Sequence, residues 1–435
     1  MIAESLHNGK RVAFYTLGCK LNFAETSMIS QKFVGQGYEK VSFDKEADIY
    51  VINTCSVTQV ADKKCRQVIK KVIGNGAKVI VMGCYSQLKP EEISAIEGVD
   101  LVLGTKEKFN AVEHVENLLN GINTKILSHE IGCIDGFDAS YSITDRTRAF
   151  LKIQDGCDYY CSYCTVPLAR GKSRNESITD TVEKAKTIAA KGIKEIVLTG
   201  VNVGDFGKST NENFFELLKE LDKIAVVERY RISSIEPNLL TDEIIDFIYH
   251  SEKFAPHFHI PLQSGCNKIL ALMKRRYKRD MFVRRVERIK ELIPNACIGA
   301  DVIVGFPDET NEDFSETLEF INNLRLSYLH VFPFSERPNT PAVSLRNKIS
   351  PVLKDQRSKL LINISEQKRK QFYHENIGKM EKVIFESRVL NGKMLGFTGN
   401  YIKTESILNK EFIGKSIYVR LLKINERGNV EVEII

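Results

Sequence analysis

Three short apolar runs near the start of the chain each end in a cysteine. They are RVAFYTLGC, IYVINTC and AKVIVMGC, which end at Cys19, Cys55 and Cys84. Two helix-like segments separate them, FAETSMISQKFVGQG and ADKKCRQVIKKVIGNG. This alternation predicts a parallel, doubly wound sheet, and right-handed crossovers bring the carboxyl ends of its strands to one edge. The three thiols are therefore predicted to share one site, with ordinary core cysteines as the alternative.

Further apolar runs recur through the middle of the chain. They are AFLKIQD, KEIVLTG, RYRISS, HFHIPLQ, ACIGADVIVG and SYLHVF, separated by amphipathic stretches. Six strand–helix units predict an incomplete TIM-like (β/α)6 barrel, and an open six-stranded sheet is the alternative. Thr310, followed by Asp313, predicts the start of a helix. In either fold the functional residues lie at the carboxyl ends of the strands.

The last segment of the chain alternates apolar and polar residues with a period of two. KVIFESRV, KMLGFTGNYIKTES, KSIYVRLLKIN and NVEVEII are separated by Gly and Asn turns, which predicts a small antiparallel barrel. The fold class is therefore α/β with a terminal β-barrel. The predicted limits are residues 1–125 for the first domain, 126–145 for a linker, 146–372 for the central domain and 373–435 for the barrel.

Composition narrows the class of protein. The chain has 435 residues, 43% of them hydrophobic, which is enough for two or three domains with their own cores. No apolar stretch reaches the length of a membrane span, and MIAESLHNGK lacks the apolar core of a signal peptide. A cytoplasmic protein with no membrane partner is expected, and its ten cysteines are then free thiols or metal ligands. The net charge of +6 is compatible with RNA binding without requiring it.

The densest group of candidate ligands is the loop GCDYYCSYCTVPLARGKSR, which contains Cys157, Cys161 and Cys164. Three cysteines spaced C-x3-C-x2-C can hold one corner of an iron–sulfur cluster and leave one iron without a protein ligand. Structural zinc, the main alternative, requires a fourth ligand at short range. The nearest histidines are His129 and His250, far away in sequence. A disulfide framework does not suit a reducing compartment.

This loop resembles the signature of the radical S-adenosylmethionine enzymes, and its continuation PLARGKSR resembles their methylthiotransferase branch. The resemblance implies a 4Fe–4S cluster whose open iron chelates S-adenosylmethionine, and reductive cleavage to a 5′-deoxyadenosyl radical. TLGCKLN, NTCSV and MGCYSQ resemble the amino-terminal domain of the same branch. They imply a second 4Fe–4S cluster on the three strand-end cysteines. The remaining cysteines match no ligand position of that family: Cys65, Cys133, Cys266 and Cys297.

The resemblance also implies residues that contact S-adenosylmethionine at the carboxyl ends of the central strands. These are Tyr163 in the cysteine loop, Gly200 and Asn202, Ser234 and Glu236, Gln263, Asp301 and Gly305. A radical intermediate requires such contacts because it must be positioned and kept from water. The alternative is that small polar residues and glycines are simply common at βα turns.

Two groups of residues are candidates for contact with RNA. Arg170, Lys172 and Arg174 follow the cysteine loop and are predicted to meet phosphates, with a solvated cationic loop as the alternative. GFTGNYIKT resembles the TRAM domain, a tRNA-binding barrel, which points to Tyr401 and Lys403. Basic residues interleaved with aromatic ones suit looped RNA, and a structural barrel is the alternative.

The resemblance spans nearly the whole chain and implies a tRNA methylthiotransferase. TLGCKLN and PLARGKSRN are most similar to the enzymes that convert N6-threonylcarbamoyladenosine at tRNA position 37 to its 2-methylthio form. The enzymes of N6-isopentenyladenosine more often have Gln where Lys20 follows the first cysteine, and a third branch modifies an aspartate of a ribosomal protein. An RNA-binding iron–sulfur electron carrier is the alternative from another class. Expected partners are tRNA, a reductant such as flavodoxin or ferredoxin, and a sulfur donor, and a monomer is expected.

Overall fold

The first part of the chain forms a six-stranded parallel sheet with strand order β2-β1-β3-β4-β5-β6. The computed structural model describes residues 9–74, 76–133, 136–142 and 147–435. The strands are β1 (Arg11–Thr16), β2 (Glu39–Val41), β3 (Ile49–Thr54), β4 (Lys78–Gly83), β5 (Leu101–Leu103) and β6 (Ile126–Leu127), and the helices are α1 (Lys20–Gly35), α2 (Gln59–Val72), α3 (Cys84–Leu88), α4 (Pro90–Ser94) and α5 (Ala111–Leu119). The predicted doubly wound sheet is confirmed, and the short strands β2 and β6 were not predicted.

The strand order of this sheet reverses between β1 and β3, which are neighbours. Thr16 at the end of β1 pairs with Asn53, and Thr54 at the end of β3 pairs with Gly83 of β4. The carboxyl ends of the three strands are therefore aligned at one edge. Open α/β sheets bind their ligands in the crevice at such a reversal.

The middle of the chain forms two parallel sheets, with orders β10-β9-β8-β7 and β11-β12-β13, in which only the β7–β8 pair is antiparallel. The strands are β7 (Ser140–Tyr141), β8 (Arg148–Lys152), β9 (Glu195–Thr199), β10 (Arg229–Ile232), β11 (His257–His259), β12 (Cys297–Val304) and β13 (Tyr328–Pro333), and the helices are α6 (Val166–Arg170), α7 (Ile178–Ala190), α8 (Phe214–Asp222), α9 (Asp242–His250), α10 (Asn267–Leu272), α11 (Arg279–Leu292) and α12 (Asn311–Asn323). An isolated parallel bridge pairs Tyr230 of β10 with Phe254, which precedes β11, so that the pairing continues from the first sheet toward the second. From β8 to β13 the strands follow chain order, in agreement with the predicted partial barrel.

Local signals at helix starts agree with the sequence. The Thr310 hydroxyl accepts a hydrogen bond from the Asp313 N–H, and the Asp313 carboxylate accepts one from the Thr310 N–H, which forms a capping box. The predicted helix start is confirmed. None of the helices within the described ranges has the length and apolarity to cross a bilayer.

The chain ends in a closed barrel with strand order β14-β15-β16-β18-β17. Its strands are β14 (Met380–Leu390), β15 (Lys393–Thr398), β16 (Lys403–Ile407), β17 (Ser416–Ile424) and β18 (Val430–Ile434), and the long helix α13 (Pro351–His374) precedes it. The barrel is fixed to the central strands by buried arginines. Arg229 donates to the carbonyls of Phe397 and Lys382, and Arg231 donates to those of Thr398 and Gly399.

Residues near both ends of the predicted linker pair with strands of the neighbouring sheets. Ile126–Leu127 pairs with β5, and Ser140–Tyr141 pairs with β8. Residues 134–135 and 143–145 of the linker, and residue 146 after it, lie outside the described residues. The four domain limits themselves stay predictions.

A buried ion network joins the first sheet region to the central barrel. Glu25 of α1, fully buried, lies 2.7 Å from Lys108, 3.2 Å from Lys152 and 3.0 Å from Arg170. Asp155 lies 2.7 Å from Lys152 and 2.8 Å from Arg170. Burial alone would raise the pKa of Glu25, but the three cations outweigh it and lower that pKa. Glu25 is therefore ionised and forms ion pairs with cations from both regions.

We expect Glu25→Gln to destabilise the protein strongly. Removing one member of a buried ion pair leaves the others uncompensated, at a cost of about 3–5 kcal/mol. In a thermal melt this predicts a fall in apparent melting temperature of about 3–5 °C, because the unfolding entropy of a chain of 435 residues is about 0.9 kcal/mol/K. The control Glu183→Gln breaks the exposed Glu183–Lys186 pair (2.7 Å) and should change the melt little.

The effect has a defined pH dependence. Because the folded pKa of Glu25 is depressed, its stabilisation is complete above the unfolded value of about 4.3 and declines as pH falls below it. The difference between wild type and Glu25→Gln should therefore shrink only on strong acidification. Equal melts for the two proteins at neutral pH would contradict the role given to Glu25.

Candidate active site between the two sheet edges

The strand-end cysteines lie at the predicted edge of the first sheet. Cys19 is the residue that precedes α1, Cys55 directly follows β3, and Cys84 is the first residue of α3, directly after β4. A negative charge on Cys84 would raise the pKa of Cys19, and a charge on either of these thiols would raise the pKa of Cys55, so the three sulfur atoms lie near one another. The three thiols are thus grouped where the strand order reverses.

Two glycines allow the backbone to close around this group. Gly18 has φ +108°, and a Cβ added there would lie 2.8 Å from the Cβ of Cys55. Gly83 has φ +105°, and its added Cβ would lie 2.4 Å from Oδ1 of Asn53. Any larger residue would force the cysteine-bearing turns apart.

Burial changes the acidity of two of these thiols. It raises the pKa of Cys55 to about 12, and it raises that of Cys19, for which the charge of Arg170 acts in the opposite direction. The Cys19 side chain is nevertheless accessible to water.

The second cysteine group lies in the loop after β8. Gly156, at φ +70°, is packed so closely that an added Cβ would lie 1.9 Å from the carbonyl oxygen of Lys172. The Cys157 N–H donates to the Gly171 carbonyl at 3.0 Å, and the Cys164 N–H donates to the Cys161 carbonyl at 3.0 Å. These bonds fold the loop so that its three thiols interact with one another.

The loop thiols are also desolvated, and one of them has a cationic neighbour. Burial raises the pKa of Cys157 and of Cys164 to about 12. Arg275 donates to the Cys161 sulfur at 3.0 Å and forms an ion pair with Glu236. Sequence analysis missed Arg275, because a basic run such as KRRYKR gives no sign of which cation turns inward.

The spacing of the sulfur atoms in both triads argues against a single tetrahedral metal ion. Tetrahedral zinc with Zn–S bonds of about 2.3 Å holds its sulfurs about 3.8 Å apart. In the described part of the chain, neither triad has all its sulfur atoms within 4.8 Å of one another. Thiols with raised pKa values become ligands when iron displaces their protons. Arg275 and Arg170 supply positive charge beside the two sites.

Three of the predicted cofactor contacts line a cavity between the sheet edges. The cavity has a volume of about 260 Å³, and Tyr163, Gln263 and Asp301 form its barrel wall. Val57 and Thr58, from the turn after Cys55, form the opposite wall. Glu236 is close by, since Arg275 connects it with the cysteine loop. The cavity therefore lies between the turns that carry the two triads.

Two further predicted contacts stand on the turn after β9. The Asn202 N–H donates to the side chain of Gln154 at 2.9 Å. Asn202 is 3% exposed, and its Oδ1 atom has no hydrogen-bond partner within the described residues. A Cβ added at Gly200 would lie 3.0 Å from Gln154, so this turn accepts only glycine without adjustment. The free amide oxygen of Asn202 is a polar group suited to a ligand.

The last two predicted contacts differ in their surroundings. Ser234 follows β10 and is partly exposed. Gly305 is buried, and an added Cβ would lie 2.4 Å from the side chain of Lys354 in α13. Gly305 therefore packs against α13 in this structure, and the cofactor contacts of the whole set stay predictions.

The position of Arg170 corrects one expectation. It was predicted to meet RNA phosphates, but it is 2% exposed, and its guanidinium binds Glu25, Asp155 and Asn22. Asn22 in turn donates to the carbonyls of Leu17 and Thr54, beside the first triad. Arg170 thus connects the two cysteine sites internally and is not available to a phosphate.

The other predicted RNA contacts are placed as follows. Lys172 is exposed, whereas Arg174 donates to the carbonyls of Arg170 and Lys172 and to Asp155. Tyr401 is stacked on His257, with ring centroids 4.3 Å apart, and on Phe397, at 4.9 Å. The Tyr401 ring therefore already stacks on protein side chains, and its contact with RNA stays a prediction. Lys403 is partly exposed.

Two histidines that the sequence did not reveal as site residues lie beside Asp301 of the cavity wall. Asp301 lies 3.0 Å from His259 and 3.3 Å from His330. Lys20, the first residue of α1, is partly exposed, and burial with a further contribution from Arg231 lowers its pKa to about 8.

Of the four cysteines outside the triads, Cys65, Cys266 and Cys297 are buried, and the side chain of Cys133 lies outside the described residues.

The partial barrel with its three-cysteine loop defines a radical S-adenosylmethionine enzyme. Residues 151–321 match the model of the Radical SAM superfamily, and residues 11–104 match that of Uncharacterized protein family UPF0004. The fold resembles that of the radical S-adenosylmethionine methyltransferase TsrM from Kitasatospora setae, with a TM-score of 0.58, 13% identity and 77% of each chain covered.

Relatives match the chain over nearly its whole length. The threonylcarbamoyladenosine tRNA methylthiotransferases MtaB of Bacillus subtilis and Aquifex aeolicus are 39% and 41% identical, over 95% and 94% of this chain and 94% and 99% of their own. The tRNA-2-methylthio-N(6)-dimethylallyladenosine synthase of Hydrogenobaculum sp. is 31% identical over 94% of this chain and 95% of its own. The chain belongs to the radical S-adenosylmethionine methylthiotransferase family and is an enzyme of that class, most similar to the MtaB branch.

Replacing Cys157, Cys161 or Cys164 by Ala should abolish formation of 5′-deoxyadenosine by the anaerobic, reduced protein. Each change removes one of the three loop thiols, and the cluster depends on all of them. Cys297→Ala, a buried thiol away from both triads, is the control and should keep the activity. A triple loop variant that still cleaves S-adenosylmethionine would refute the assignment of this loop.

Proposed function

We propose that the protein methylthiolates N6-threonylcarbamoyladenosine at position 37 of tRNA, next to the anticodon. The observation that supports the proposal is a cavity between the turn after Cys55 and a barrel wall that includes Tyr163 of the cysteine loop, in a chain similar to MtaB enzymes over 94–95% of its length. When bound, a 4Fe–4S cluster on the loop cysteines, with S-adenosylmethionine, supplies a 5′-deoxyadenosyl radical, and an auxiliary 4Fe–4S cluster on the strand-end cysteines supplies or presents sulfur.

In this proposal, separate groups of residues have separate roles. Cys157, Cys161 and Cys164 hold the first cluster, and Arg275 balances charge beside it. The wall that contains Tyr163, Gln263 and Asp301 positions the cofactor and limits water, which a radical reaction requires. The substrate adenosine must leave its stack to enter a site of this kind. We further propose that the protein is a cytoplasmic monomer. It would receive electrons from a reductant protein and sulfur from a sulfur donor.

The proposal is tested by anaerobic reconstitution with tRNA that carries either N6-threonylcarbamoyladenosine or N6-dimethylallyladenosine. Mass spectrometry of the digested nucleosides should show the 2-methylthio product of the first substrate. Product from the dimethylallyl substrate alone would assign the protein to the branch of the Hydrogenobaculum relative instead. S-adenosylmethionine cleavage without any methylthio product from either RNA would point to another substrate, such as a ribosomal protein.

Cys55→Ala should separate the two cysteine sites by role. We expect the variant to retain 5′-deoxyadenosine formation and to lose the methylthiolated nucleoside, because the sulfur site is damaged while the loop site is intact. Cys65→Ala is a matched control, since Cys65 is also buried and donates to the carbonyl of Cys55 at 3.4 Å. A Cys55 variant that lacks the auxiliary iron and still yields full product would rule out the sulfur role.

The exposed face of the terminal barrel should contribute to tRNA binding. Lys382 lies 5.1 Å above the ring of Tyr418, which is 52% exposed, so that a cation and an aromatic face are presented together. Lys382→Ala should weaken tRNA binding and reduce the salt slope of the affinity by about one. Tyr418→Ala should weaken binding with less change in that slope.

The matched control is Lys186→Ala in α7, where the ammonium is already paired with Glu183. It should leave tRNA affinity unchanged across a salt titration. Unchanged affinity for both barrel variants would give the barrel a structural role. Point variants are preferable to truncation, because the barrel accepts hydrogen bonds from the buried Arg229 and Arg231.

A further inference from the structure

Two histidines and an aspartate meet on three neighbouring strands of the central barrel. His259 ends β11, Asp301 lies in β12 and His330 lies in β13. Asp301 pairs with His330, and His259 pairs with Gly299, two residues before Asp301. Because every second residue of a strand points to the same face, this register places all three side chains on one face of the sheet.

The three side chains are close enough to share one ion. Nε2 of His259 lies 3.0 Å from Oδ1 of Asp301, and Nδ1 of His330 lies 3.3 Å from the same oxygen. One donor atom from each residue lies within 4.8 Å of the other two. Metal–ligand bonds of about 2.0–2.2 Å place neighbouring donor atoms about 3.0–3.4 Å apart, so the two measured distances match those around a bound metal ion.

Another pair of histidines shows how ordinary ion pairs differ from this arrangement. His114 and His129 both approach Glu107, at 2.9 Å and 2.8 Å, but each contacts a different oxygen of its carboxylate. Among the described residues, this second set does not bring one donor atom from each residue within 4.8 Å of the others. The convergence of both histidines on a single oxygen therefore distinguishes the barrel group.

One other described group has a similar spacing but lacks free carboxylates. It consists of Cys266, Asp313 and Glu316. Asp313 is paired with Lys268 at 2.6 Å, and Glu316 is paired with Arg279. Asp301, in contrast, forms its ion pairs within the described residues with the two histidines alone. Its charge is therefore not neutralised by a lysine or an arginine.

The surroundings of His259 suit a metal ligand. Its second ring nitrogen, Nδ1, lies 3.2 Å from the hydroxyl oxygen of Tyr328, which holds the ring with Nε2 toward Asp301. Metal-binding histidines are commonly oriented by a hydrogen bond to the nitrogen that does not bind the ion. The side chains of His259 and Asp301 are 10% and 22% exposed, whereas that of His330 is 54% exposed. The exposed side of His330 gives an ion access to the group.

We propose that His259, Asp301 and His330 bind a divalent transition-metal ion. Two imidazoles and one carboxylate suit zinc and ferrous iron, and three protein ligands leave a position for water or another ligand. Asp301 also lines the cavity between the sheet edges, so the ion would add positive charge to the cavity wall. Both histidines contact Oδ1, which leaves Oδ2 for the predicted contact with S-adenosylmethionine. The site is separate from both cysteine triads and does not depend on which substrate the enzyme modifies.

The test uses zinc as the probe and the full chain after anaerobic reconstitution with iron and sulfide, so that the triad thiols are occupied. Equilibrium dialysis followed by metal analysis should show one zinc ion per chain in the wild type. His330→Ala and Asp301→Asn should each weaken zinc binding by more than about 100-fold. Tyr328→Phe should weaken it by about 10-fold to 100-fold, because this change removes only the orienting hydrogen bond. His114→Ala, the control, should leave zinc binding unchanged.

X-ray absorption at the zinc edge adds a measurement that needs no variant. We expect nitrogen and oxygen neighbours at about 2.0–2.2 Å and no sulfur at about 2.3 Å. Sulfur neighbours would place the zinc on cysteines and overturn the inference. Equal zinc binding by the wild type and His330→Ala, or a wild type without bound zinc, would overturn it as well. Because His330 is exposed, its replacement should change neither the thermal melt nor the iron content, which verifies that the loss of zinc is local.

Discussion

The buried network around Glu25 is the interaction on which the arrangement of the site depends. Glu25 lies in the first helix of the sheet region, whereas Lys152, Asp155 and Arg170 belong to the barrel strand and cysteine loop that follow it. Charges of this kind are tolerated in a protein interior only as a complete set. The network therefore fixes the relative position of two folds that have separate apolar cores. Through Asn22, Arg170 also reaches the turns that carry Cys19 and Cys55.

The consequence is that two strand ends from different sheets face each other. In the first sheet the cysteines occupy the point where strand order reverses, and in the barrel the cysteine loop follows the first strand of the parallel series. Each fold on its own places ligands at the carboxyl ends of its strands. Packed edge to edge, the two folds enclose one cavity with a proposed cluster site at each side. A reaction that needs both a radical and a sulfur atom suits this geometry.

Much of this could be read from the sequence because the signals are local. Apolar runs that end in Cys19, Cys55 and Cys84 predicted both the strands and the common edge, since parallel strands align their ends. The close spacing of Cys157, Cys161 and Cys164 also predicted a three-thiol site, because the three residues lie within one loop. Edge strands of two or three residues, such as Ile126–Leu127, carry too few positions to show a period.

Long-range pairings could not be read in the same way. Arg170 and Glu25 are 145 residues apart, and nothing local indicates that this arginine is buried while Lys172, two residues later, is exposed. Tyr401 lies in a segment that interleaves aromatic and basic residues, as expected of an RNA contact, yet its ring stacks on His257.

The central claim is that two cluster sites face one cavity, and their magnetic interaction tests it directly. The measurement is electron paramagnetic resonance of the anaerobically reconstituted protein with both clusters reduced. The account predicts spectra broadened or split by dipolar coupling between the clusters, and simple uncoupled spectra when Cys55→Ala removes one of them. Two fully reduced clusters without any coupling in the wild type would place them too far apart to act on one base and would contradict the account.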